Sequence, residues 1–272
     1  MQFNDFLPIV TAFQEKSKDI SKFVLPDWVA MKNQMHAEKS DLTLLVAHRL
    51  CTKTINLKLA MYALLQDKNI YATKIVYRSL IEHNVKNQYF ILNPRQMPNL
   101  GEFYLEFGEV EEHIAMLKAQ RSFSSLEAPA GNTLWQEVFE TYPHLAGKQG
   151  EITEAINVFA FKNMTIEIAR QLKEHAGNLN HFENMLRNYW LCSPFVHGGP
   201  GAEDALYKSF SALDPEEQKD LLNLIQIPFY MAYENMQFIL FQGKHLSQRS
   251  RVCYDYIGKI LDEMREKHAK SG

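Results

Sequence analysis

Long segments free of glycine and proline set the architecture open to this chain. Its 272 residues include only 12 glycines and 10 prolines, most of them gathered in a few short patches. Between the patches, apolar residues recur at spacings of three and four, which gives a helix one apolar face. No run between turns alternates apolar and polar residues over the length of a strand. The sequence therefore predicts an all-α fold, a single multi-helix bundle.

The clearest helical pattern covers residues 42–65, directly after Ser40 and Asp41, whose short polar side chains favour the N-cap position. A second pattern covers residues 70–92 and ends at an asparagine before a proline. Only the polar sequence QDKN separates the two patterns. Because so short a connection forces neighbouring helices to pack side by side, we expect an antiparallel helical hairpin at the core of the bundle.

The remaining patterns complete the bundle. Further helices are predicted at residues 8–22, 27–37, 99–120, 133–141, 151–176, 179–193, 215–242 and 247–268. Asp214 followed by Pro215 marks the strongest of these starts, because aspartate caps a helix and proline suits its first position.

The domain organisation follows from the loops. The glycine-, serine- and proline-rich loops at 123–132 and 197–203 are too short to link domains. We therefore expect one helical domain over residues 1–272. Within it, we expect 1–37 to be appended N-terminal helices, 38–205 a core and 206–272 a C-terminal helical pair.

Charge, cysteine and motif content narrow the classes of function. The formal net charge of −3 predicts no broad nucleic-acid surface, although it leaves room for a local phosphate site. Three separated cysteines, Cys51, Cys192 and Cys253, indicate reduced thiols in a cytoplasmic protein. No signal peptide or membrane span is expected. Because no glutamate stands three residues before any histidine and no phosphate-binding glycine motif occurs, we expect neither a metal nor another cofactor.

Two stretches carry the candidate site. In the first, Arg78 and Glu82 lie one helical turn apart in an otherwise apolar segment and can pair. In the second, Tyr189, Ser193 and His197 recur every four residues and fall within about 80° on a helix. We expect two glycines directly after the histidine to end that helix.

The combination of R-S-L-x-E with Y-x-x-x-S-x-x-x-H-G resembles an uncharacterised bacterial family of helical domains of unknown function. The resemblance covers roughly residues 40–205. It implies that Arg78, Glu82, Tyr189, Ser193 and His197 are the functional polar residues.

More distantly, the chain resembles the HEPN class of helical domains, many of which are metal-independent ribonucleases with an R-x(4–6)-H motif. Two literal matches occur, from Arg78 to His83 and from Arg170 to His175. The first match adds His83 to the candidate substrate-binding residues. The resemblance implies RNA as a partner and a place in a toxin or phage-defence system.

Three functions remain open for these residues. The first is a module that binds a nucleotide, a small anion or a protein partner in a polar pocket. The second is a metal-independent ribonuclease in which His197 acts as acid and base, Arg78 stabilises charge and Glu82 orients Arg78 or His197. Tyr189 and Ser193 would then hydrogen-bond the substrate. The third is a buried polar network without an active site, since buried charges are tolerated when they are paired.

Three other features have structural interpretations. Trp28, Trp135 and Trp190 are expected to be core anchors rather than base-stacking surfaces. The aromatic-rich residues 228–241 predict a packing face, with the seam of a homodimer as the alternative. The basic residues between 244 and 251 predict a solvated face, with contact to an RNA backbone as the alternative.

Overall fold

A computed structural model describes residues 2–38, 41–93, 97, 99–124, 134–175, 180–199, 202–203, 213–245, 247 and 249–269. It confirms the all-α bundle: ten α-helices are bounded within those residues, and none of them forms a strand. The helices are α1 Leu7–Glu38, α2 Leu42–Gln66, α3 Ile70–Leu92, α4 Leu100–Ser124, α5 Leu134–Thr141, α6 Gln149–Val158, α7 Phe161–His175, α8 Asn180–His197, α9 Pro215–Gln242 and α10 Ser250–Ala269. In the described part of the chain, no helix has the length and apolarity needed to span a membrane.

The predicted hairpin is confirmed as α2 and α3, which pack along each other in the middle of the bundle. Asp41 caps α2 by accepting from the backbone nitrogen of Leu44 over 2.9 Å. Asn69 caps α3 in the same way, accepting from Ala72 over 3.0 Å. Ser40, the other predicted cap, lies outside the described residues. Both helices of the hairpin thus begin at a side-chain cap close by in the chain.

The other helices surround this pair. Helix α9 packs on both α2 and α3, while α1 and α4 pack on α2 and α7 and α8 pack on α3. The predicted start of α9 is confirmed by reciprocal bonds: Asp214 Oδ1 accepts from Glu217 N over 2.9 Å, and Glu217 Oε2 accepts from Asp214 N over 3.0 Å. This capping box satisfies two otherwise unpaired backbone donors.

Helix α1 corrects one prediction, because residues 8–22 and 27–37 belong to a single helix that runs through Pro26. Proline removes a backbone hydrogen bond but has a φ angle that suits a helix. Val24, Trp28 and Met31 are buried on one face of α1. We attribute the continuity to the burial of this face, which offsets the missing bond.

The segment 151–176 corrects a second prediction, because it contains two helices, α6 and α7, instead of one. The chain turns at Phe159, whose backbone nitrogen donates to Ala155 over 2.9 Å. The turn places the buried Phe159 ring against Phe90, Phe103 and Tyr104. This aromatic contact is tertiary, so helical periodicity alone does not reveal the break.

The aromatic segment of α9 is a packing face, as expected. Phe229, Tyr233 and Leu240 are buried, whereas Phe238 and Phe241 are exposed. In the basic stretch, Arg249 pairs with Asp27 over 3.3 Å and Arg251 with Asp255 over 3.6 Å. The homodimer seam and the RNA contact stay predictions. The loop 123–132 lies outside the described residues, apart from the backbone of its first two residues.

Candidate functional site

Helices α3 and α8 pack antiparallel, and this arrangement positions the candidate site. The Nδ2 atom of Asn188 lies 3.4 Å from the hydroxyl of Tyr77. Further along α3 and further back along α8, Nδ2 of Asn84 donates to the sulfur of Met185 over 3.2 Å. The turn of α3 that contains Arg78 therefore faces the last two turns of α8.

Arg78 is the centre of a polar cluster that joins the two predicted stretches. Its Nη1 atom donates to Nε2 of His197 over 2.9 Å, and its Nη2 atom donates to the hydroxyl of Tyr189 over 3.0 Å. Its Nε atom lies 3.6 Å from Oε1 of Glu82, one turn along α3. The guanidinium carbon also lies 4.8 Å from the centre of the Tyr189 ring. Four of the predicted residues are therefore in contact, and we call them the Arg78 cluster.

The hydrogen bonds in the Arg78 cluster have a defined direction. The Tyr189 hydroxyl donates to Oε1 of Glu82 over 3.1 Å, so its oxygen is free to accept from Arg78. A guanidinium has donors only, and therefore Nε2 of His197 must be the acceptor in its bond to Arg78. The imidazole accordingly carries its hydrogen on Nδ1 and is neutral. A protonated imidazole has no acceptor and would lose this bond.

The cluster lies at the surface, with its centre shielded. Only 13% of the Arg78 side chain and 8% of Tyr189 are exposed, against 40% of the Glu82 side chain. His197 is exposed. The ring of Phe161, the first residue of α7, stacks on the Tyr189 ring with centroids 4.4 Å apart. This contact holds Tyr189 in place, and the nearby carboxylate makes the shielded guanidinium tolerable.

Some of the hydrogen-bond donors of Arg78 are unused. A guanidinium has five N–H donors, and two of them are used in the bonds to His197 and Tyr189. The Nε donor is buried and lies beyond hydrogen-bond range of Glu82. Within the described part of the chain, one hydrogen on each terminal nitrogen has no acceptor. These two unused donors have the chemistry to pair with a ligand that has two oxygens.

Helix α8 ends in a way that presents His197. It continues four residues past the predicted end at 193 and includes Pro194. Gly198 then adopts a left-handed conformation with φ of 65°, and the Gly199 nitrogen donates to the Pro194 carbonyl over 2.9 Å. This is a glycine C-cap of the expected kind. His197 is therefore the last helical residue, and it is exposed. The rest of the loop at 197–203 is largely outside the described residues.

Two other predicted residues are not part of the Arg78 cluster. Ser193 is half-buried between Tyr189 and His197 along α8, and its hydroxyl has no hydrogen-bond partner among the described residues. His83 is turned to its own helix, where Nδ1 lies 2.8 Å from the Ser79 carbonyl oxygen.

Neither literal R-x(4)-H match accounts for the site. Arg78 contacts His197 on another helix rather than His83, which is bonded to the backbone of α3. Arg170 is held by Glu167 and Glu174 on its own helix. The side chain of His175, which completes the second match, lies outside the described residues. The imidazole and guanidinium that meet are therefore those of the two longer motifs.

The structure also identifies residues that sequence patterns missed. Phe161 supports Tyr189 and had no distinguishing signal in the sequence. Trp190 was expected in the core, but 69% of it is exposed. That expectation is wrong because α8 turns Tyr189 towards α3 and leaves the next residue facing solvent. Lys74, one turn before Arg78, lies with its Nζ atom 4.6 Å from the centre of the Phe195 ring.

Neither a metal-binding group nor a similar known protein indicates what the site does. Across the described residues, no group of three or more histidine, cysteine, aspartate or glutamate side chains is placed to hold a metal ion. Comparison with protein families, with curated proteins and with solved structures found no match.

Proposed function

We propose that the Arg78 cluster binds the phosphate of a nucleotide or of an RNA strand. The observation that carries this proposal is the orientation of the Arg78 guanidinium, which Tyr189 and His197 hold while one donor on each terminal nitrogen stays unused. A planar fork of two N–H groups matches two phosphate oxygens.

Phosphate binding would change the state of His197. A phosphate oxygen is a stronger acceptor than a neutral imidazole, so it competes for the Nη1 hydrogen that Nε2 now accepts. Release from this bond leaves Nε2 free to take a proton. Glu82, whose carboxylate accepts from Tyr189, keeps the tyrosine hydroxyl oriented during the exchange.

Isothermal titration calorimetry with uridine monophosphate tests the proposal. Arg78→Lys keeps the charge but loses the fork, so we expect its affinity to fall at least about tenfold. Arg170→Lys is the matched control, because two carboxylates on α7 already engage that guanidinium. Equal binding by the wild type and Arg78→Lys would contradict the proposal. A lower melting temperature for Arg78→Lys, without nucleotide binding by the wild type, would instead support a purely structural network.

A metal-independent ribonuclease is the second candidate, and the neutral, exposed imidazole beside a guanidinium is the observation that favours it. In this reaction, Nε2 of His197 takes the proton of a ribose 2′-hydroxyl while the 2′-oxygen forms a bond to phosphorus. The bond from phosphorus to the 5′-oxygen breaks, and His197 returns the proton to that oxygen. Arg78 stabilises the charge on the phosphorus oxygens. The HEPN-like relationship and a role in toxin or phage defence belong to this candidate.

Incubation of the protein with end-labelled single-stranded RNA in EDTA tests the second candidate. We expect products that end in a 2′,3′-cyclic phosphate, and we expect His197→Ala to lose at least about a hundredfold in rate. His83→Ala is the matched control, since its imidazole is bonded to the α3 backbone outside the cluster. If the His197→Ala protein cleaves as fast as the wild type, His197 has no catalytic role.

A further inference from the structure

The outer face of α8 carries an exposed aromatic ring in line with the Arg78 cluster. Trp190 is 69% exposed, and its indole lies edge-on to the Tyr189 ring with centroids 5.6 Å apart. A single exposed apolar side chain is common and needs no explanation. Trp190 differs because it stands seven residues before His197, which places both side chains on one face of α8, within about 20° of each other.

We propose that Trp190 stacks a base of a single-stranded nucleic acid whose phosphate is bound at the Arg78 cluster, a proposal that rests on the function proposed above. The indole offers a wide, rigid and exposed surface. Stacking on an aromatic side chain tolerates any base, because every base has a π-face. The same helix face therefore combines a phosphate-binding end with a base-binding end.

The spacing along α8 sets the length of strand that can reach both ends. Seven residues of helix rise about 10 Å, and stacked nucleotides in a strand rise about 3.4 Å each. About three nucleotides therefore separate the base on Trp190 from the phosphate at Arg78 and His197. A mononucleotide is too short for both contacts, whereas a tetranucleotide spans them.

The charges around Trp190 are compatible with a strand. Arg187, one turn before Trp190, is exposed and lies about 60° round α8 from it, at the edge of a cleft that also contains Glu216 and Asp220. Its long side chain can meet a backbone phosphate. Glu183, one turn before Arg187, is also exposed and places a carboxylate on this part of α8. A strand that runs from the Arg78 cluster past Trp190 therefore meets the cations Arg78 and Arg187, and the solvent-accessible carboxylates of Glu82 and Glu183 lie at the two ends of this path.

Binding of a length series tests the proposal. The probes are uridine monophosphate, di-, tri- and tetranucleotides with 2′-O-methyl groups, which cannot be cleaved through a 2′-hydroxyl, and thymidine DNA strands of the same lengths. For the wild type, we expect affinity to rise about tenfold between the mono- and the tetranucleotide. Trp190→Ala should lose this rise without weakening monophosphate binding, and Trp190→Phe should keep most of it. Leu191→Ala is the matched control, because Leu191 is 53% exposed but points about 100° away on α8.

Each outcome has a defined meaning. A rise with length that survives in Trp190→Ala overturns the proposal and assigns the exposed indole to another contact, such as a protein surface. Loss of the rise in Leu191→Ala as well would also overturn it, because the effect would not be specific to the aromatic ring. If the wild type binds the monophosphate but shows no rise, only the Trp190 proposal fails. If it binds neither probe, the phosphate site itself is wrong. A rise with the 2′-O-methyl strands alone identifies RNA, and an equal rise with DNA identifies single strands in general.

Discussion

The Nη1 atom of Arg78 donates to Nε2 of His197 over 2.9 Å, although 119 positions separate the two residues in the chain. The bond is part of a directed chain in which Arg78 also donates to Tyr189, and Tyr189 donates to Glu82. Each bond in the chain orients the next donor. Unfolding measurements on variants show how strongly these residues stabilise one another, and they test other features of the fold as well.

Tyr189→Phe should destabilise the protein by about 1–2 kcal/mol, because it removes one hydrogen bond accepted from Arg78 and one donated to Glu82. Urea unfolding measures the change. Tyr256→Phe is the control, since the Tyr256 hydroxyl has no hydrogen-bond partner in the described part of the chain. A double-mutant cycle with Arg78→Met should give a coupling energy of at least about 0.5 kcal/mol. Strict additivity of the two changes would show that the hydroxyl and the guanidinium do not stabilise each other.

His48 should make stability depend on pH in the acidic range. Its buried ring stacks on Trp28, its Nε2 atom lies 3.0 Å from the Trp28 carbonyl oxygen, and burial lowers the pKa of His48 to about 4. Its Nδ1 atom is buried and has no hydrogen-bond partner among the described residues. Between pH 6.5 and 4 the unfolded chain binds a proton that the folded protein does not. The free energy of unfolding should therefore decrease by about 3 kcal/mol as the pH is lowered through this range.

His48→Phe separates this contribution from that of the carboxylates. The variant keeps a ring against Trp28 but cannot titrate. Denaturant unfolding at several pH values should show a shallower loss of stability below pH 6.5 than in the wild type. Identical curves for the two proteins would mean that His48 is protonated in the folded state as readily as in the unfolded chain.

Lys58 should lower stability at neutral pH. It is fully buried, its Nζ atom donates to the Ser17 hydroxyl over 2.9 Å and to the Tyr233 hydroxyl over 2.6 Å, and no described carboxylate pairs with it. Burial lowers the pKa of Lys58 well below its ordinary value. Between this lowered pKa and about 10, the unfolded chain binds a proton that the folded protein does not, so stability should rise as the pH increases towards about 10.

Lys58→Met replaces the amine with an apolar side chain of similar length. We expect a gain on the order of 1 kcal/mol or more at pH 7 and a weaker rise of stability with pH. Exposed Lys53, also on α2, provides the control, because Lys53→Met should change stability by less than about 0.5 kcal/mol. Thermal and urea unfolding measure both variants. Destabilisation by Lys58→Met at every pH would mean that the two hydroxyl bonds outweigh the cost of burying the amine.

Gly101 should be intolerant of any side chain. A Cβ atom at this position would overlap the backbone of Leu42 and Thr43, where α4 meets the start of α2. The Gly101 nitrogen also donates to the Thr43 hydroxyl over 3.0 Å. Gly101→Ala should therefore cost at least about 2 kcal/mol, whereas Gly108→Ala, which meets only the Tyr104 ring at ordinary contact distance, should gain about 0.5–1 kcal/mol from helix propensity. Equal effects of the two changes on urea unfolding would refute the close helix approach.

The positions of most helices in this protein are determined by residues close together in the chain. The periodicity of apolar residues and the caps at Asp41 and Asp214 predicted most helices, because a helix is stabilised by interactions over three or four positions. The same logic placed Arg78 with Glu82, and Tyr189 with His197, on shared helix faces. It also predicted the α2–α3 hairpin, since a short connection leaves few alternatives.

Long-range packing accounts for what those patterns did not reveal. It keeps α1 a single helix across Pro26, and it ends α6 at Phe159 so that the ring of this residue joins an aromatic cluster. It also leaves Trp190 exposed to solvent. It also sets the direction of the bonds among Arg78, Tyr189 and His197. These features depend on which surfaces meet between helices far apart in the chain, and no local pattern of residues encodes that contact.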